Sequence, residues 1–522
     1  MKTSDREHDQ RHSSGSAPAE LGELFFSQGS DSPRASSWAD SSRSMKDLPR
    51  MSTEHGNAPS GSPPHMTRDN NAFPSAPMAV EETGVDEEIL LDLVLRLAST
   101  APQFTTDWAA SRLHLTVPVA EELLEVLRKQ EMVEILGQVG VLNYRYSISQ
   151  RGRERAVRLF EVSGYVGAAP VSLEAYNAML EWQLTNTFGV RPQDVKDACS
   201  ELSLAEEVVE LAGIATAARR SLFLSGPTGN GKTTLARLLH NASQGDLWIP
   251  HCIHIDHSII CVFDPKCHEV VADGNSRPNS IDHRWVRVRR PFVTVGGEMT
   301  VDSLDLIHSS SRRYYEAPPH FKANGGTFLI DDFGRQRMLP DQLLNRWIVP
   351  LESQIDYLTL QTGQKIQVPF RVMLIIATNL DPEVVMEPAF LRRMGYRLYL
   401  DKPSPQRYAN IFLRYAAGCG FEVPPPLIDR LIARYHAEHR ELLGCHPRDL
   451  IERVRDICRY TGQPEELTYE LVDMAWRGYF GTGSSKNPNE HVPPHHVATA
   501  ADLVRGTGQG LEPSPETLLR ES

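Results

Sequence analysis

Apolar positions along the chain fall into blocks with different periods. Residues 1–84 are rich in Ser, Pro, Asp, Arg, Gly and Asn, and their few apolar residues follow no period. Such a segment cannot bury enough surface to offset its chain entropy, which predicts a disordered arm. From Asp86 the spacing becomes helical. EEILLDLVLRLAS sets Leu90, Leu93, Val94 and Leu97 on one face; a second helix from Thr105 or Thr106 carries Trp108, Ala109 and Leu113. A third follows Thr116 as N-cap, with Pro118 early and Leu123, Leu124 and Leu127 inward. MVEILGQVGVLNYRYSIS then alternates as a hairpin and leads into QRGRERAVRLF. Further on, Leu222–Leu224, TFLI at 327–330 and LIIA at 374–377 are short apolar runs of the kind that form buried strands. LWIPHCIHIDHSIICVFDP reads as a hairpin turning near Asp256–Ser258, and YLTLQTGQKIQVPF as another around Thr362-Gly363. Residues 404–482 are expected to be helical, and 483–522 to be a second disordered segment.

The block from 85 to 165, three helices and then a hairpin, resembles a winged-helix domain, with YSISQRGRERA similar to the last wing strand and following helix of that family. That resemblance raises DNA binding. The third helix, which would enter the major groove, carries Glu121, Glu122 and Glu125, with Arg128 and Lys129 after them. Residues 86–165 hold 12 acidic and 9 basic side chains, a net of −3. This balance favours docking of a partner protein or a structural role. DNA contact through Arg145, Arg151, Arg153 and Arg155 stays open as the alternative.

Composition narrows the setting. With 522 residues, 40% of them hydrophobic, the chain can fill two or three cores. A net charge of −13 provides no global field for nucleic acid or anionic lipid. MKTSDREHDQ lacks the apolar core of a signal peptide, and no run approaches the ~18 apolar residues of a membrane span. Seven thinly spread cysteines suit reduced thiols. A soluble cytoplasmic protein is expected. His251, Cys252, His254, Cys261, Cys267 and His268 are ligand types for Zn²⁺, but their irregular spacing reads better as ordinary strand residues. His491, His495 and His496 likewise read as solvated tail residues.

The strongest motif is SLFLSGPTGNGKTTLARLLH. An apolar strand feeds Gly226-Pro227-Thr228-Gly229-Asn230-Gly231-Lys232-Thr233, and a helical pattern begins at Thr234. The glycines let backbone N–H groups turn towards phosphate oxygens, and the helix N-terminus adds favourable partial charge. Lys232 would reach the β and γ phosphates of ATP, and the Thr233 hydroxyl would bind Mg²⁺. TFLIDDFG supplies the second strand of such a site, with Asp331 as the acid that holds Mg²⁺.

These motifs, with those that follow, resemble the AAA+ ATPases over roughly residues 190–480. By that resemblance Asp332 would polarise the attacking water, a position where most members have Glu. LIIATNLDP offers Asn379 as sensor 1, EPAFLRRMGYRLYL offers Arg393 or Arg392 as arginine finger, and GCHPRDLIERV offers Arg448 as sensor 2. YLTLQTGQKIQVPF is similar to the pre-sensor-1 hairpin of members related to MoxR proteins and magnesium-chelatase subunits. As a whole the chain resembles bacterial AAA+ proteins described as chaperone-like ATPases. The resemblance implies an α/β fold: a P-loop AAA+ nucleotide domain at 166–403 with a helical lid at 404–482, preceded by the small winged-helix-like α+β domain and the disordered arm. It also implies a homo-oligomeric ring, expected to be a hexamer, in which ATP hydrolysis rearranges a client protein. A DNA-bound regulator and a nucleotide-gated scaffold with little hydrolysis are the alternatives.

Overall fold

The computed structural model describes residues 66–68, 71–187, 189–200, 202–243, 245–271, 280–309, 313–381 and 388–481. The expected arm up to residue 65 and the tail with its three histidines lie outside the described residues. The end of the arm differs from expectation. β1 (Met66–Arg68) pairs antiparallel with β2 (Asn71–Phe73), Ser75 bridges Ile281, and Glu81–Thr83 form a 3-10 turn. Phe73 and Val80 are buried in two separate cores. Neither sits in a periodic pattern, so only tertiary contact orders them.

α1 (Glu87–Ala98) begins where the Asp86 carboxylate accepts from Glu88 N at 2.8 Å, and it buries Leu90, Leu93, Val94 and Leu97. β3 (Phe104–Thr105) leads into α2 (Thr106–Leu113), capped by the Thr105 hydroxyl on Trp108 N. α3 (Val117–Lys129) starts after Thr116, but that hydroxyl donates to Pro77 O at 2.7 Å and makes no cap. β4 (Val133–Gly140) and β5 (Asn143–Ile148) form the hairpin, β3 joins the other edge of β5, and α4 (Gln150–Val162) follows. These are the elements expected of a winged-helix-like unit. Its core also takes in Cys252 and Ile259 from further along the chain, so the unit is packed onto its neighbour.

A linking stretch supplies β6 (Val171–Ser172), α5 (Leu173–Asn186), α6 (Pro192–Cys199) and α7 (Glu206–Ala217). The α/β domain then runs through β7 (Leu222–Ser225), α8 (Lys232–Ala242), β8 (Asp246–Pro250), β9 (Cys252–Ile255), β10 (Ser258–Cys261), β11 (Trp285–Arg289) and β12 (Phe292–Val295). It continues with β13 (Ile307–Ser309), β14 (Tyr314–Glu316), α9 (Pro319–Lys322), β15 (Thr327–Ile330), α10 (Pro340–Ser353), β16 (Ile355–Thr359), β17 (Lys365–Pro369), β18 (Met373–Ala377) and β19 (Tyr396–Tyr399).

The central sheet is parallel, in the order β12-β15-β18-β7-β19. Its register sets Ile330 opposite Val295 and Ile376, Ala377 opposite Leu224, and Tyr399 opposite Ser225. The residues just past these strands, Gly226, Asp331 and Asn379, therefore emerge along one edge. In open parallel sheets ligands bind at that carboxyl edge. β7 lies inside the sheet and is buried at all four residues, which anchors the loop that leaves it.

A second five-stranded sheet, separate from the first, has the order β13-β14-β10-β9-β6. β9 and β10 form the expected hairpin, turning at Asp256 with φ 45°. LWIP does not join it; β8 pairs with β11 instead. β16 and β17 form the hairpin around Gly363, φ 83°. Its inner face, Leu358, Leu360, Ile366 and Val368, shares a core with Ile253 and Ile260 of the second sheet and Trp285 of β11. The lid is four helices, Pro405–Gly418, Pro425–Ala437, His446–Thr461 and Tyr469–Phe480, around their own core of Tyr408, Phe412, Tyr435, Leu450 and Trp476. The fold is thus α/β with a phosphate-loop domain and a helical lid behind a small α+β unit. Among the described residues no helix is long and apolar enough to cross a membrane.

Candidate nucleotide-binding site

After β7 the backbone turns through Gly226 (φ 137°), Gly229 (φ 81°) and Gly231 (φ 85°), and Gly231 caps α8. At two of these positions an added side chain would clash unless its neighbour moved. A Cβ on Gly226 would lie 2.3 Å from Leu400 O, and one on Gly229 would lie 2.5 Å from Cys445 Sγ in the lid. Lys232 is buried, and its Nζ donates to Gly226 O (2.8 Å) and Pro227 O (2.9 Å) across the loop. Burial lowers its pKa, while Asp332 and Asp331 oppose the shift.

The Thr233 hydroxyl donates to Asp331 Oδ2 at 2.7 Å, joining groups from α8 and the end of β15. Asp332 follows with φ 49°, its N–H donating to Asp331 Oδ1 at 3.0 Å, and its side chain is exposed at the cavity. Asn379 Nδ2 donates to the Thr228 hydroxyl at 3.0 Å, and its buried Oδ1 has no partner. Lys232, Thr233, Asp331, Asp332 and Asn379 are thus brought together at the phosphate loop.

The cavity there is about 550 Å³, within the range of small-molecule sites. Its floor is the loop from Thr228 to Thr234 with Asp331 and Asp332. One wall is apolar, with Leu202, Leu204, Val208 and Ile411 beside Tyr399 and Arg407. The lid, which already supplies Arg407 and Ile411 from its first helix, contributes further where Gly444 N donates to Asn230 Oδ1 at 3.2 Å and Cys445 and Arg448 line the cavity. Arg448 also bonds Asp449 Oδ1 at 3.0 Å, which raises its pKa.

The oxygens fit Mg²⁺, a hard cation that takes few protein ligands and keeps several waters. Thr233 Oγ1 and Asp331 Oδ2 are adjacent at 2.7 Å at the rim of the loop. Arg393 does not line the cavity. Its Nε meets Glu352 Oε1 of α10 at 2.6 Å, and Arg392 beside it is exposed. The Cys and His residues of the β8–β10 region have separate partners. Cys252 donates to the Tyr165 hydroxyl at 3.2 Å, His268 Nε2 lies 2.9 Å from Lys322 O, and His251 packs on His114. No three metal-ligating side chains converge among the described residues.

One family profile, a domain of unknown function (DUF8689), matches residues 404–478, the lid. No curated protein matches the chain. Among solved structures, a point mutant of RuvB from Thermotoga maritima is 15% identical, with a TM-score of 0.30 over 56% of this chain and 72% of that one. NtrX from Brucella abortus in complex with ADP is 17% identical, with a TM-score of 0.35 over 66% and 69%. NtrX in complex with ATP is 14% identical, with a TM-score of 0.33 over 69% and 78%. Likeness at that level carries no functional weight; the site's own geometry does.

Several cavity residues were not legible beforehand. Leu202, Leu204 and Val208 precede the phosphate loop with an unremarkable apolar spacing, and Tyr399 and Arg407 lie far downstream. The Asn230–Gly444 bond spans 214 residues and has no local signature.

Proposed function

We propose that the chain is a Mg²⁺-dependent ATPase of the AAA+ type, from the group with a pre-sensor-1 hairpin, that assembles as a ring and remodels a partner protein. The observation that carries the ATPase reading is the Thr233–Asp331 contact at 2.7 Å beside a buried Lys232. The β16–β17 hairpin directly before β18 supports the group. Mg²⁺ held by Thr233 and Asp331 would neutralise charge on the β and γ phosphates.

The chain's own residues do the rest. Lys232 exchanges its two carbonyl contacts for phosphate oxygens, and the apolar wall takes the base. Asn379, whose Oδ1 lacks a partner, orients the attacking water. Asp332 accepts a proton from that water as its oxygen bonds to the γ phosphorus and the bond to the β-bridging oxygen breaks, releasing ADP. Arg448 comes from the lid, and Arg393 or Arg392 acts on a neighbouring subunit's nucleotide. Loss of the γ phosphate removes contacts that hold lid and loop together, so the two states differ in stability.

Partner docking falls to the winged-helix-like unit. Ile135, Leu136, Val139, Val141 and Leu142 are all exposed on its wing, Val141 at 92%. Apolar side chains concentrated on one exposed hairpin mark a protein contact. The DNA alternative is less well supported, because residues 77–80 occupy the start of α3. Thr116 donates to Pro77 O, and the Glu122 carboxylate accepts from Val80 N at 3.1 Å. The test is capture of partners by Asp332→Asn in ATP, with and without Val141→Glu and Leu142→Glu. Loss of the captured partner in the wing variant is expected. Undiminished capture, or salt-dependent DNA binding that the wing variant leaves intact, would overturn the docking reading.

A further inference from the structure

Asp332 holds a left-handed backbone at φ 49°. That conformation is uncommon for any residue but glycine and persists only where the surroundings fix it. The turn is fixed from both sides. Phe333 N donates to Ala377 O (2.8 Å), the Thr378 hydroxyl donates to Phe333 O (2.8 Å), and Arg335 N donates to Asp332 O (3.1 Å). Apart from Thr378 and the acids themselves, one side chain enters this set. Gln336 Nε2 donates to Asp331 O (3.1 Å) and Asp332 O (3.3 Å), while its Oε1 accepts from Gly334 N at 2.8 Å. Carbonyls accept and the Gly334 N–H donates, so the amide orientation follows from its partners; Asp332 O shares its acceptor capacity between Gln336 and Arg335 N.

We propose that Gln336 is the positioning residue for both acids of the site, acting through their backbone carbonyls. This rests on the ATPase reading above. Both carbonyls lie past the end of β15, where no ladder partner receives them, and one amide group ties them together. Rotation of either peptide would turn a carboxylate away from the cavity. Gln336 does not line the cavity, which makes its route to the reaction the two acids it holds.

The inference separates two substitutions. Gln336→Met keeps the length and loses all three bonds. Gln336→Glu keeps the acceptor for Gly334 N but sets a carboxylate oxygen against two carbonyl oxygens. If positioning is its role, kcat for ATP should fall roughly 10- to 100-fold in both, the scale of an ångström-sized misplacement. ATP KM should stay within a few-fold and Tm nearly unchanged, and Glu should be no better than Met. Mn²⁺ affinity of the ATP complex, read by electron paramagnetic resonance, should weaken in both because Asp331 is displaced with Asp332.

Wild-type kcat and Mn²⁺ affinity in both variants would overturn the inference while leaving the ATPase reading in place. Parallel losses of Tm and ATP affinity would overturn it too, showing a merely structural residue. If the wild type binds Mn²⁺·ATP without turnover, hydrolysis fails but Mn²⁺ affinity still decides the role of Gln336. If the wild type binds no Mn²⁺·ATP, both fall.

Discussion

Replacing Gly229 with alanine tests the contact between phosphate loop and lid. The residue has φ 81°, and its added Cβ would lie 2.5 Å from Cys445 Sγ and 3.3 Å from Cys445 Cβ. A left-handed conformation costs alanine about 1–2 kcal/mol, and overpacking typically adds about 1–3 kcal/mol. In the free protein the lid can move aside and relieve the clash. Nucleotide binding needs loop and lid in place and reimposes it. Only the overpacking differs between the two states, so nucleotide affinity should fall by about 1–3 kcal/mol, roughly 5- to 140-fold, while the backbone strain, present with and without nucleotide, lowers Tm modestly. Cys445→Ala on that background removes the 2.5 Å clash and leaves the tight but tolerable Cβ contact. The double variant should recover most of that lost affinity, while the backbone strain stays in its Tm. Isothermal titration with ATP on the four proteins of this cycle measures the clash, and their Tm values measure the strain. If Gly229→Ala binds like wild type, or Cys445→Ala returns nothing, loop and lid are not packed as described.

Three further outcomes follow from other parts of the molecule. Arg393→Ala should cost less than ~1 kcal/mol of stability, since its pair with Glu352 is partly exposed, and should keep ATP affinity but lose turnover. Mixing it with Lys232→Ala should restore some turnover at hybrid interfaces, and full activity in a strictly monomeric preparation would refute the ring. Burial, with Arg440 adding and Asp449 opposing, pushes His446 down to about 4, below its unfolded value near 6.5. Its contribution to stability is complete above about pH 6.5 and is lost as pH falls towards 4, up to about 2 kcal/mol at pH 5. His446→Phe, which keeps the stack on Tyr435, should flatten urea-measured stability between pH 7 and 5; an unchanged slope would refute this. Asp332→Glu reaches one carbon–carbon bond, about 1.5 Å, further than the native side chain. If Asp332 sits too far from its water, Glu should raise kcat with unchanged KM, and a fall in kcat would show that the turn already places the carboxylate well.

The phosphate loop was legible because its chemistry is local. Gly226 to Thr233 carry the conformational and ligand requirements within eight consecutive positions, and the strand before them opens on three apolar residues, Leu222 to Leu224. Asp331 and Asn379 could be placed because each ends an apolar strand, and the sheet register brings such ends to one edge. The ordered segment from 71 to 84 was not legible. Phe73 and Val80 lie in a stretch rich in Pro and Ala with no helical or strand period, and the pockets that take them come from residues far away in sequence. Thr116 shows the same limit, since a capping hydroxyl in the right place was taken by Pro77 O. Nor could sequence spacing show that Gln336 bonds two carbonyls of its own turn, because Gln336 carries no signature there. For Arg393 the resemblance of its segment suggested a finger, and only the structure shows its pair with Glu352 of its own chain.

The central claim is that a buried lysine and two adjacent acids make a hydrolytic ATP site. Steady-state ATP turnover with Mg²⁺, measured beside ATP affinity for wild type, Lys232→Ala and Asp332→Asn, tests it most directly. The account expects turnover by wild type, loss of ATP binding in Lys232→Ala, and retained binding in Asp332→Asn with a rate lower by about 10²- to 10⁴-fold. Lys232→Ala with unchanged ATP affinity, or Asp332→Asn turning over as fast as wild type, would contradict it.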